Sequence, residues 1–203
     1  MNKLSITLSA LFLCSCSTTA PFTFHNLTDF PRERVVSVLI ATATQSDIEP
    51  MKMLVEQFNA ESRDETGITI NPTFIHFSMT EQMKKWPKCR RTLPCFADYV
   101  CIYHQPYDIA IYYDNDGIVG EIERVIVGGA EAQTDTDKYR YIILHTTSYD
   151  RFKHEFYHVF HPGHSMLGLM RQFRSVAYIP LAFTALSDAS KAEITANKWR
   201  KFE

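Results

Sequence analysis

The segment His154-Glu155-Phe156-Tyr157-His158 constrains this chain more than any other feature. Its two histidines stand four residues apart, so on a helix they project from one face about one turn apart. Imidazoles in that relation can bind a single tetrahedral zinc ion at about 2.1 Å. Glu155 is then close enough to take a proton from a zinc-bound water, whose pKa the metal lowers to about 7. The segment therefore predicts a Zn²⁺ site with a carboxylate base.

The residues around this segment favour a helix with two distinct faces. At about 100° per residue, the apolar side chains collect on one side and the histidines nearly opposite. The apolar set is Phe152, Phe156, Val159 and Phe160, and the histidine set is His154, His158 and His161. We expect the apolar face to anchor the helix in the core while the histidines face a cleft.

A catalytic zinc site usually has a third protein ligand. His161 continues the histidine face, but it lies about 10.5 Å along the helix axis from His154 if the helix persists. Pro162-Gly163 predicts the end of the helix and a turn, after which His164 can return to the metal. We therefore expect His164, rather than His161, to be the third ligand.

This spacing, HExxHxxxxxH, resembles the His-Glu-x-x-His-x-x-Gly-x-x-His motif of the metzincin clan of zinc peptidases. The resemblance implies that His154, His158 and His164 bind zinc and that Glu155 is the general base and acid of peptide hydrolysis. The sequence departs from the motif at His161, where the family has glycine. Glycine suits a turn with φ above zero, so we expect histidine to be strained but feasible there.

Metzincins also place a methionine in a turn beneath the zinc. Leu169-Met170 resembles that turn, although it lies closer to the third histidine than is usual. Tyr178 is a second candidate in this region, as an extra ligand or an oxyanion donor. In the family a substrate strand adds to the edge of the sheet, and by resemblance Ile118–Val127 is the expected edge strand.

The pattern upstream of the histidines predicts an α/β (α+β) domain. The nearly continuous aliphatic run Val35–Ala41 is typical of a strand covered on both faces. Capping-box spacing at Ser46–Glu49 predicts a helix that ends near Ser62. Further strands are predicted at 68–77, 107–113, 118–127 and 139–145, with a short helix and a cysteine-bearing loop through 86–101. This order, with the metzincin resemblance, predicts a mixed, mostly parallel sheet, an active-site helix and a small C-terminal subdomain.

The N-terminus predicts an export signal. Lys3 precedes the apolar run Leu4–Leu13, which is too short to span a bilayer. The following Leu13-Cys14-Ser15-Cys16 resembles the lipobox of bacterial lipoproteins, in which the matching Cys16 is lipidated. A plain cleaved secretory signal is the alternative. In both cases the mature protein leaves the cytosol.

We expect residues 1–15 to be a signal peptide, 16–33 a tether and 34–203 the zinc metallopeptidase domain. Ser17 after the modified cysteine resembles Gram-negative lipoproteins of the outer membrane, so we expect an anchor there that faces the periplasm. Without lipidation the protein would be secreted or periplasmic. Export permits disulfides, and one pair could form among Cys89, Cys95 and Cys101.

The formal net charge of −2 and the lack of a dense Lys/Arg run exclude a nucleic-acid partner. The expected partner is instead a peptide or protein substrate. Two alternatives stay open. In a zincin of another clan, Glu193 in the helical-looking Ser187–Lys201 region would be the third ligand. In a non-catalytic envelope lipoprotein, the site would bind only zinc or a partner, although such a role needs no base at Glu155.

Overall fold

The structure is a computed structural model, and it describes residues 30–79, 92–103, 106–115, 132–136, 138–161, 163, 169–170 and 185–202. Five strands form one sheet in the order β2-β1-β3-β5-β4. They are β1 (Arg34–Thr42), β2 (Ile68–His76), β3 (Ile109–Tyr113), β4 (Ala132–Thr134) and β5 (Tyr141–Leu144). The helices are α1 (Ile48–Glu65), α2 (Thr92–Tyr103), α3 (Tyr149–His158) and α4 (Asp188–Asn197), and a short 3-10 turn (Gln45–Asp47) precedes α1.

The sheet is parallel except at one edge. β1 pairs in parallel with β2 and β3, and β3 pairs in parallel with β5. β4 pairs antiparallel with β5, with Thr134 opposite Ile142. Because β4 is the last strand in the described order, the antiparallel edge lies next to the strand that leads into α3.

β1 is buried on both faces over residues 38–42, as its aliphatic run predicts, whereas Val35 near its start is 64% exposed. Val36, Val38 and Ile40 belong to the core cluster that α1 and α3 complete. Leu39 and Ala41 belong to a second cluster with α2. Successive strand residues point to opposite faces, so a continuous aliphatic run fills both helix layers.

The connection from α1 to β2 depends on a glycine. Gly67 has φ +75°, and its N–H donates to the carbonyl of Ser62 at 3.0 Å. A Cβ at this position would lie 2.5 Å from the carbonyl oxygen of Arg32. Both the left-handed φ and the close approach exclude a side chain here.

The end of α4 and the residues after it fold back onto the end of α3. Asn197 Nδ2 donates to the carbonyl of Phe160 at 3.0 Å, and Arg200 donates to the carbonyl of Val159. Trp199 stacks on Phe30, with ring centroids 5.3 Å apart. These contacts supply partners for carbonyls that the end of a helix leaves without intrahelical donors.

One sequence expectation needs correction. Residues 92–101 of the predicted cysteine-bearing loop belong to the helix α2, and residues 86–91 lie outside the described residues. The short strand β4 was not predicted, and the predicted strand Ile118–Val127 lies outside the described residues. Within α2, Cys95 is disulfide-bonded and Cys101 is not part of a disulfide, while the partner of Cys95 also lies outside the described residues. No helix in the described part of the chain is long and apolar enough to cross a membrane.

Candidate metal centre

α3 carries the histidines on a helix held firmly in the core. The predicted aromatic face packs against Phe58 of α1, whose ring lies 4.7 Å from that of Phe156 and 5.8 Å from that of Phe152. Every residue from Phe152 to His158 is buried. Burial of these rings contributes on the order of 2 kcal/mol each to stability, which fixes the rotation of the helix about its axis.

A polar contact with α1 fixes the same helix from a second direction. Lys153 is 4% exposed, and its Nζ lies 3.1 Å from Glu61 and 2.9 Å from Glu65. Tyr149 donates to Glu61 at 2.8 Å. These side chains line an open groove of about 610 Å³, and neither His154 nor His158 is among the described residues that line it. The charged side of α3 is therefore separate from its histidine side.

The two histidines of α3 face each other through their Nε2 atoms. His154 Nδ1 lies 2.6 Å from the carbonyl oxygen of Leu169, and His158 Nδ1 lies 2.9 Å from that of His161. Only a protonated ring nitrogen can donate to a carbonyl, so in the neutral rings each Nε2 carries the lone pair. The two Nε2 atoms are 3.0 Å apart, and the ring planes cross at 89°.

This donor set fits a zinc ion. Two lone pairs that meet at 3.0 Å repel each other unless a cation lies between them. Two tetrahedral Zn–N bonds of about 2.1 Å place their nitrogens about 3.4 Å apart. Histidine ligands also typically donate their other ring nitrogen to a carbonyl, as both do here. The geometry of His154 and His158 is compatible with two ligands of one zinc ion.

Burial keeps the second histidine in its neutral, ligand form. Desolvation lowers the pKa of His158 below its ordinary value, and the nearby His161 lowers it further. The hydrogen bond to the His161 carbonyl acts in the opposite direction but does not outweigh burial. A neutral imidazole at neutral pH is the form that binds a metal.

Glu155 lies beside the histidines and contacts the edge of the sheet. Its side chain is buried, and Thr134 Oγ1 lies 2.7 Å from Oε2, close enough to donate to the carboxylate. The same hydroxyl is 2.9 Å from the Glu155 carbonyl oxygen. Sequence reasoning did not find Thr134, because a three-residue strand has no periodic pattern to mark it.

His161 lies past the helix, which ends at His158 rather than at Pro162-Gly163. Its N–H donates to the Tyr157 carbonyl at 2.8 Å. Its ring is buried, with Nδ1 3.5 Å from Glu193 Oε1. Among the described residues, Tyr139 is the only non-glycine with positive φ. The prediction that His161 adopts a strained turn with φ above zero is therefore wrong.

The remaining predicted site residues divide into two groups. Leu169 and Met170 are fully buried, and the Leu169 carbonyl contacts the first histidine. His164, Tyr178 and Cys16 lie outside the described residues and stay predictions. In the ranges that the structure describes, no three His, Cys, Asp or Glu side chains form a group able to hold a metal.

Comparison with known proteins shows a similarity in fold but none in sequence family. No family model matches this chain, and no curated protein matches it. The crystal structure of archaemetzincin from Methanopyrus kandleri matches with a TM-score of 0.57 at 13% sequence identity. The match covers 84% of this chain and 99% of that chain. The chain therefore has a metzincin-like fold, with a mixed, mostly parallel sheet as predicted.

Proposed function

We propose that this chain is a zinc-dependent endopeptidase. The observation that carries the proposal is the approach of His154 and His158 Nε2 to 3.0 Å, beside the buried Glu155. The metzincin-like fold supports it, because in that clan a helix with this spacing holds the catalytic zinc. His154 and His158 would hold Zn²⁺ together with His164, whose role rests on the motif alone.

Each side chain then has a defined task. When bound, zinc supplies a Lewis acid that polarises the scissile carbonyl and acidifies water. Glu155 takes a proton from the attacking water and later gives it to the leaving amine. The carbonyls of Leu169 and His161 hold the two imidazoles in the tautomer that binds metal. Met170 is buried and follows Leu169, whose carbonyl contacts His154, and by resemblance it is the candidate Met-turn residue. Tyr178 is the candidate for stabilising the developing oxyanion.

The proposed substrate is a peptide segment in extended conformation. Such a segment binds by adding a strand to the edge of a sheet through main-chain hydrogen bonds. In the described order the sheet ends at β4, whose Thr134 contacts Glu155. A strand added along that edge would bring its peptide bonds towards the base. The edge strand expected from the sequence, Ile118–Val127, precedes β4 along the chain and lies outside the described residues.

The proposed location is the outer membrane, with the domain facing the periplasm and anchored through a lipid on Cys16. The support is the lipobox-like segment at residues 13–16. Expression of the full chain in a Gram-negative host with labelled fatty acid tests this. Label on the wild type that is lost in Cys16→Ser supports the anchor. Unlabelled wild type in the soluble periplasmic fraction contradicts it.

Metal content is the decisive test of the enzyme proposal. Elemental analysis of the purified mature chain should find about one zinc per chain in the wild type and much less in His154→Ala. Glu155→Gln should retain zinc but lose peptide cleavage, because the base and not a ligand is removed. A folded wild type that holds no zinc after zinc is supplied and excess removed contradicts the proposal. Zinc retention without cleavage of any peptide favours the non-catalytic lipoprotein.

The third ligand needs its own comparison. Glu193 lies 3.5 Å from His161 Nδ1, on the helix from which a zincin of another clan would take its third ligand. Alanine variants of His164 and Glu193 distinguish the two arrangements. Loss of zinc in His164→Ala and retention in Glu193→Ala supports the metzincin arrangement. The reverse result identifies Glu193 as the ligand.

A further inference from the structure

The contact between Thr134 and Glu155 joins the edge of the sheet to the proposed base. Thr134 is the last residue of β4, and its hydroxyl lies 2.7 Å from Glu155 Oε2. The two residues are 21 positions apart and both are buried, at 7% and 9% exposure. A hydrogen bond from a hydroxyl on a different element restricts the rotation of a buried carboxylate, whereas a carboxylate on an exposed side chain rotates freely.

The main chain of Thr134 is held in place by contacts that do not involve Glu155. Thr134 pairs with Ile142 in the β4–β5 ladder. The carboxylate of the next residue, Asp135, accepts four main-chain N–H groups, those of Lys138, Tyr139, Arg140 and Tyr141. A β-branched side chain also has few χ1 rotamers, and the hydroxyl itself contacts the Glu155 main-chain carbonyl at 2.9 Å as well as Oε2. The fixed main chain and the restricted rotamer therefore hold the hydroxyl next to the carboxylate.

We propose that Thr134 is a positioning residue for Glu155, and that it couples the edge strand to the base. This inference rests on the endopeptidase function proposed above. By donating to Oε2, the hydroxyl orients the carboxylate for proton transfer before substrate arrives. A misplacement of about 1 Å at such a group costs up to about a hundredfold in rate. A peptide that adds to β4 restrains the strand that carries Thr134, so substrate binding also holds the base in place.

Two substitutions at one position test the role of the hydroxyl. Thr134→Val keeps the shape and branching but removes the donor, whereas Thr134→Ser keeps the donor. For Thr134→Val we expect kcat to fall by about tenfold or more, with KM within about twofold of wild type and zinc content unchanged. Thr134→Ser should recover most of the lost kcat. Wild-type kcat in Thr134→Val, an equal loss in Thr134→Ser, or a rise in KM alone would overturn the inference.

A double-mutant cycle on the metal-free protein gives a readout without catalysis. Thr134→Val, Glu155→Ala and the double variant are compared by their denaturant midpoints of unfolding. We expect Thr134→Val to shift the midpoint clearly in the wild-type background and less when Glu155 is absent. Equal shifts in both backgrounds would overturn the coupling. An inactive or zinc-free wild type instead contradicts the endopeptidase, and the cycle still decides whether Thr134 holds Glu155.

Discussion

Lys153 Nζ lies 2.9 Å from Glu65 Oε2, and the lysine is only 4% exposed. Lys153→Met removes the cation and leaves the glutamate, itself 14% exposed, without its neighbouring charge. We expect a loss of about 2 kcal/mol in unfolding free energy, measured by urea denaturation. Lys52→Met is the matched control, since its 2.6 Å ion pair with Glu49 is exposed and contributes below about 1 kcal/mol. Equal effects of the two changes would contradict this account.

Gly67 provides a second test of stability. We expect Gly67→Ala to cost more than about 1 kcal/mol, because the residue has φ +75° and the new Cβ would meet the Arg32 carbonyl at 2.5 Å. Gly163→Ala is the comparison, since in the described part of the structure its Cβ would meet the His161 ring at 3.5 Å and its φ is not in the left-handed region. Thermal unfolding of both variants measures the difference. A Gly163→Ala variant as unstable as Gly67→Ala would contradict it.

Buried tyrosines predict a loss of stability in alkali. Burial raises the pKa of Tyr113 to about 12 and, with their acidic neighbours, raises the pKa values of Tyr149 and Tyr157 as well. These groups release protons more readily in the unfolded chain, near about pH 10. Their stabilising effect is therefore complete below that pH and is lost as pH rises towards the folded-state pKa. Unfolding free energy measured across this range should fall above about pH 10.

Tyr113→Phe isolates one of these groups. The Tyr113 hydroxyl is buried and has no hydrogen-bond partner among the described residues, so its removal should not destabilise the protein at neutral pH. The variant should lose less stability in alkali than the wild type. An unchanged alkaline slope would mean that Tyr113 does not contribute to it.

Asn197 is expected to affect metal binding from a distance. Its Nδ2 donates to the Phe160 carbonyl at 3.0 Å, just after α3, so Asn197→Ala should cost about 1 kcal/mol or more and weaken zinc binding. Asn59→Ala is the matched control, because Asn59 also bridges main-chain groups, the N–H and carbonyl of Ile70 at 2.7 and 2.9 Å. It should destabilise the fold without changing zinc affinity in chelator competition. Equal zinc affinities in both variants would contradict the prediction.

The first two parallel strands could be predicted because their apolar runs are visible in the sequence itself. The aliphatic run 35–41 corresponds to β1 at 34–42, and the run at 68–77 corresponds to β2 at 68–76. A strand covered on both faces must be apolar at every position, whatever its neighbours are. The helix predicted after Ser46 is confirmed as α1, which begins at Ile48 and continues three residues beyond the expected end at Ser62, but its N-cap is Asp47 and no side chain makes the expected capping hydrogen bond.

The elements that complete the site could not be found in this way. β4 has three residues, and it is a strand only because β5 pairs with it. Thr134 therefore has no local pattern that distinguishes it from any other threonine. The carbonyls that orient His154 and His158 belong to Leu169 and His161. Every residue has a main-chain carbonyl, so the sequence does not indicate which ones make these contacts. The candidate ligands could be proposed from residue type and spacing, whereas the groups that orient them depend on tertiary structure.

The contacts of residues 197–200 with the end of α3 bear on the order in which the site forms during synthesis. Asn197 follows Phe160 by 37 positions and Arg200 follows Val159 by 41, so a ribosome makes the site helix well before the groups that hold its end. A ten-residue helix is marginal by itself in water. A nascent chain that has passed His158 already contains the α1 residues on which this helix packs, but it still lacks the side chains that bind the carbonyls after it. We therefore expect the end of the site helix to become fixed only once Arg200 has been synthesised.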